Sequence, residues 1–222
     1  MNAPWPAATT GYEKDAARAA RRAAIGFRAH SGWAAAVAVV EAGTGRGPRQ
    51  GGPSAILRRR IEMADRGTPG PSQPYHAAVG LDIREAERHV AHCAARAAAL
   101  ATAAIRGIVE DLRRLGCRTA GCGLLLASGR PLPPLERILA SHPLLHTAEG
   151  ELYREALRAA SRECGLPLTT LKERELLERA AAGLHLPAER IERHVAAMGK
   201  GIGPPWRQDQ KFAAVAAWLA LK

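Results

Sequence analysis

Two apolar runs open the pattern of this chain. Residues 25–30 and 33–41 are rich in Ala and Val and are separated by Ser31-Gly32, which predicts two strands joined by a tight turn. Residues 54–64 set Ile56, Arg58 and Arg60 against Leu57, Arg59, Ile61 and Met63. This incomplete alternation predicts a third strand with a basic outer face. Asp82 can cap a helix running to Leu115 and closed by Gly116, with Val90, Cys93, Ala97, Ala101, Ile108 and Leu112 as its apolar stripe. Residues 119–129 predict a short apolar strand, and 131–142 a brief helix. Thr147 is the expected cap of a second long helix ending at Cys164-Gly165, since Pro143 argues against helix before it. Residues 166–173 predict a fifth strand, and 174–183 and 187–199 two small helices. After a Gly/Pro break at 201–206, residues 207–222 form a last amphipathic helix with Phe212, Val215, Ala216 and Leu219 along one side.

The order is therefore three strands, a long helix, a strand, helices, a strand and helices. Three leading strands joined by loops make an antiparallel meander, and strands reached through helices add in parallel by right-handed crossover. The expected fold class is α/β: a mixed five-stranded sheet flanked by helices on both faces. The segments 41–53 and 65–76 are Gly/Pro-rich loops. Residues 1–23 read as a flexible tail ahead of a single domain over 24–222.

Composition changes this picture in its choice of partner. Nearly half of the residues are apolar, enough for a sizeable core, while the formal charge is +11. An Arg-rich proteome accounts for such a charge, and so does a polyanionic partner such as nucleic acid or a phosphorylated small molecule. The basic residues are spread along the chain rather than gathered in a tail. Cys93, Cys117, Cys122 and Cys164 form no CxxC pair, which fits buried thiols in a reduced, cytoplasmic protein. No run of 18 apolar residues is present and no membrane span is expected. The start lacks the apolar region of a signal peptide. Ala-rich helix faces admit a homodimer as readily as packing on the sheet.

The element order resembles the ribonuclease H-like superfamily, which includes Holliday-junction resolvases. Two stretches carry the resemblance beyond order: GFRAHSGWAAAVAV (26–39), similar to the first hairpin of a resolvase, and GPPWRQDQKFAAVAAWLAL (203–221), similar to its closing helix. The resemblance implies metal-binding carboxylates on the first strand, at the end of the fourth and at the start of the last helix. Here the first position reads His30, the fourth strand ends in Ala127-Ser128-Gly129-Arg130, and Asp209 alone matches. Two-metal phosphoryl transfer needs several carboxylates to hold two cations about 3.5–4 Å apart. The resemblance thus implies the scaffold and argues against the usual nuclease chemistry.

Ligands of such sheets collect beyond the carboxyl ends of the parallel strands. That edge is expected to carry His30, Glu149 and Asp209 as candidate acid/base groups or metal ligands. Ser31, Ser128, Arg130, His146, Trp206 and Arg207 are expected to bind substrate or an anion, with Lys172-Glu173-Arg174 closing the fifth strand. A divalent metal is a candidate cofactor of unknown identity. His142 and His146 have helical metal-pair spacing, but Pro143 speaks against a helix there; His89, His92 and Cys93 share a helix and read more simply as surface imidazoles beside a buried thiol. The leading expectation is a cytosolic nucleic-acid-associated domain. The alternative is a hydrolase or transferase acting on a small phosphorylated or anionic substrate through a His/Arg/Glu pocket.

Overall fold

A computed structural model describes residues 20–42, 52–65, 67, 70–127 and 131–222. Five strands, β1 (Arg21–His30), β2 (Trp33–Val40), β3 (Ser54–Glu62), β4 (Cys117–Leu126) and β5 (Leu168–Lys172), form one sheet in the order β3-β2-β1-β4-β5. The β1–β2 and β2–β3 pairs are antiparallel; β1–β4 and β4–β5 are parallel. The helices are α1 (Pro74–Ala77), α2 (Ile83–Arg114), α3 (Leu135–Leu139), α4 (His142–Glu163), α5 (Leu176–Leu184), α6 (Ala188–Ile202) and α7 (Gln208–Ala220). The expected mixed α/β sheet, five strands flanked by helices, is present.

Strand alternation divides the core in two. Ile25 and Phe27 of β1 pack with Ile105, Ile108 and Leu112 of α2 and Leu157 of α4. Ala24, Val37, Val39 and Leu125 face the other way, toward Ala213, Ala216 and Ala217 of α7 and the buried sides of α5 and α6. Two glycines set how closely α7 lies on the sheet. A Cβ on Gly26 would sit 1.8 Å from the Ala213 carbonyl oxygen, and one on Gly123 would sit 2.3 Å from that of Ala216. Glycine on two adjacent strands and alanine on the helix therefore let backbone meet backbone, which fixes the amino end of α7 against the carboxyl end of β1.

Some boundaries differ from expectation. β1 starts at Arg21 rather than near Ala24, because Arg21–Ala23 pair with Cys117–Thr119 of β4. Residues 1–19 of the expected tail lie outside the described residues, as do Ser128 and Arg130. The segment expected to be loop before α2 contains the short helix α1. The largest correction concerns α4, which begins at His142 and not at Thr147. Pro143 sits in its first turn, where the missing N–H costs nothing. Thr147 is already inside the helix, its hydroxyl donating to the Pro143 carbonyl at 2.9 Å. Asp82 does cap α2, accepting from the Arg84 and Glu85 amides at 3.0 and 3.3 Å.

All four cysteines are free; Cys93, Cys117 and Cys122 are buried and Cys164 is partly so. Burial pushes the Cys122 thiol up to about 12, so it behaves as a small apolar group. Among the described residues, no helix is long and apolar enough to cross a membrane.

Candidate functional site

Residues two apart on a strand share a face, so Arg28 and His30 of β1 both point to the side of the sheet that α7 covers. α7 begins just there. His30 Nε2 lies 2.9 Å from Asp209 Oδ1. An ionised carboxylate only accepts, so Nε2 is the protonated nitrogen of this pair. Arg28 also donates to Asp209 Oδ1 through Nη1, and with Nε and Nη2 it grips both oxygens of Glu173, just beyond β5, at 3.0 and 2.7 Å. This fork-on-carboxylate geometry is the strong form of an ion pair. The Glu173 contact raises the Arg28 guanidinium further above its ordinary value. Burial alone would push the Asp209 carboxyl up, but hydrogen bonds from His30 and Arg28 outweigh it and hold it below its usual range. Arg154 of α4 borders the same network; burial lowers its pKa, while the charges of Glu151 and Glu173 oppose that shift.

Across β2 and β3 the same face turns basic. Register pairs Arg28 with Ala35 and Ala35 with Arg60, and pairs Val37 with Arg58. Arg58 and Arg60 therefore stand on the α7 side, while Arg59 between them crosses to the other face and bonds Asp111 of α2. Arg58 donates to the Pro205 carbonyl at 2.5 Å. The Arg60 guanidinium lies 3.8 Å above the Trp33 ring, and that ring also stacks on His30 at 4.3 Å between centroids. Trp33, Arg58 and Arg60, together with Pro205, Arg207, Asp209 and Gln210, line a groove of about 570 Å³. Arg58 is thus held by a carbonyl, and Arg60 by an aromatic ring and by an ion pair with Glu62.

The expected site residues separate into groups. His30 and Asp209 meet, and Arg207 lines the groove beside them. Ser31 is exposed in the β1–β2 turn. Trp206 packs instead on α6: its ring fills the space above Gly199, and its N–H donates to the Val195 carbonyl at 2.9 Å. Glu149 and His146 belong to a second cluster, with His76 and His142. Arg28, Trp33, Arg58 and Arg60 were absent from the expected set. Arg28 was legible through its position two residues before His30 on one strand face. Trp33, Arg58 and Arg60 depend on β2–β3 register, which one chain's pattern leaves open.

Of the positions that the resemblance would assign to cations, Asp209 alone is a carboxylate, and Arg28 and His30 already hold it.

No protein-family model and no curated protein matches the chain. Among solved structures it is similar to the Thermus thermophilus RuvC structure, at 15% identity over 89% of this chain and 92% of that one, with a TM-score of 0.44. It is also similar to T. thermophilus RuvC in complex with a Holliday junction substrate, at 14% identity over 89% and 91% of the two chains, with a TM-score of 0.45.

Proposed function

We propose that this protein is a ribonuclease H-like nucleic-acid-binding domain that grips the phosphate backbone and does not cleave it by two-metal chemistry. The observation that carries this reading is the Arg28 fork between Glu173 and Asp209. A fixed guanidinium already holds the two carboxylates that cation chemistry would draw on, and it cannot be deprotonated to release them. The neighbouring groove keeps Arg58, Arg60 and Arg207 on one side of a strongly basic chain, the arrangement that favours a polyanion.

The test is binding to single-stranded, duplex and junction DNA and to RNA at several salt concentrations, with and without Mg²⁺ or Mn²⁺, with products resolved on a gel. The expected result is salt-sensitive binding without cleavage. Changing Arg58 and Arg60 together to Gln should weaken binding to all sequences alike and flatten the log–log salt slope by about 2. Metal-dependent cleavage lost in Asp209→Ala would overturn the non-catalytic reading. An absence of binding near physiological salt would redirect the groove to a small phosphorylated ligand.

A further inference from the structure

A second set of chemistry-bearing side chains lies where α1 meets the amino end of α4. His142 and His146 are one turn apart, and their Nε2 atoms are 3.1 Å from each other. His76 of α1 closes the group, its ring centroid 4.7 Å from that of His146 and 5.3 Å from that of His142. One nitrogen from each imidazole lies within 4.8 Å of the others. Two nitrogens on one tetrahedral zinc, at metal bonds of about 2.0–2.1 Å, are about 3.3 Å apart. The His142–His146 pair is already at that spacing.

The third member is held by a buried acid. Glu149, fully buried, accepts from the His76 amide at 3.2 Å and lies 2.7 Å from its Nδ1. That bond places the His76 ring proton on Nδ1 and leaves Nε2 with a free lone pair. The remaining Glu149 oxygen, Oε2, accepts no hydrogen bond from the described residues. A buried carboxylate with one oxygen unpartnered is costly unless positive charge stands nearby, and a cation on the far side of His76 supplies it. Carboxylate–imidazole–metal is the usual way in which a ligating histidine is oriented. The amino-terminal dipole of α4 opposes a cation, and the Glu149 charge offsets it.

We propose that His76, His142 and His146 bind one zinc-class divalent transition metal, with Glu149 as the positioning residue of His76. Three neutral imidazoles select Zn²⁺, Ni²⁺ or Cu²⁺ over Mg²⁺ and Ca²⁺. Both α4 histidines are exposed, so a fourth position faces solvent and can hold water. The metal would clip α1 to α4 beside the Tyr153 hydroxyl, which already donates to the Pro71 carbonyl at 2.6 Å.

The experiment is competition for Zn²⁺ between a chelating dye and the full, untagged, chelator-stripped chain. Expected are one zinc per chain, no displacement by excess Mg²⁺, and a rise in melting temperature with zinc. His142→Ala and His146→Ala change exposed side chains outside the core, so they should fold and lose stoichiometric binding. Glu149→Gln should weaken binding roughly 10–100-fold, as removal of such an orienting partner does. His89→Ala, beside Cys93 on α2, should leave it unchanged. Zinc affinity equal in wild type and His142→Ala, or no stoichiometric binding in the wild type, overturns the proposal.

Discussion

Arg28 is the residue on which the site turns. Its side chain is only 17% exposed and holds two carboxylates that would otherwise repel each other across the end of the sheet. Arg28→Ala leaves both acids without a fixed countercharge, and we expect a loss of about 2 kcal/mol, measurable by urea denaturation. Arg28→Asp should be less stable still in chelator and should regain stability when Mg²⁺ or Mn²⁺ is added, since three carboxylates then converge. If its melting temperature ignores divalent ions, Glu173 and Asp209 are not poised as described. Asp209 gives a pH prediction. Its pKa in the folded chain lies below the ordinary 3.8. Its contribution is therefore complete above that value and is lost as pH falls through the lower folded one. The stability gap between wild type and Asp209→Asn should be constant at neutral pH and should close in acid.

At the scale of elements, α7 does the positioning. Gly26 and Gly123 let its alanine face lie directly on β1 and β4, and the first turn then delivers Asp209 to Arg28 and His30. Gly123→Val would drive a side chain into the Ala216 carbonyl and should displace the helix. We expect a large destabilisation together with loss of the Asp209 contacts, visible as altered tryptophan fluorescence from the buried Trp218 of α7. The elements themselves were largely readable from pattern. The meander, the capped 32-residue helix and the closing helix stand where hydrophobic period placed them. The start of α4 departs from expectation because Pro143 reads as a breaker, whereas a first-turn proline is compatible with helix. That one turn decided whether His142 and His146 faced the same way. Sites built within a strand or between adjoining termini, such as Arg28–His30 and Asp209, were partly legible. Those built across register, such as Arg60 over Trp33, were not, because register is a tertiary property.

At the scale of the whole molecule, the open edge of the sheet and the groove meet. β3 is an edge strand, and its arginines both guard the open edge and line the groove where β1, β2 and α7 converge. Glu173 and Asp209 are bound internally by Arg28 and His30, while Arg58, Arg60 and Arg207 line the groove beside them, Arg60 being paired with Glu62. The site thereby presents fixed guanidinium groups rather than free carboxylates. The most direct test is the salt dependence of binding to duplex and junction DNA, with product analysis in Mg²⁺ and Mn²⁺. The account predicts a steep negative slope, flattened in the Arg58/Arg60 double variant, with substrate intact in either metal. Metal-dependent cleavage by the wild type, or a slope unchanged in the double variant, would contradict it.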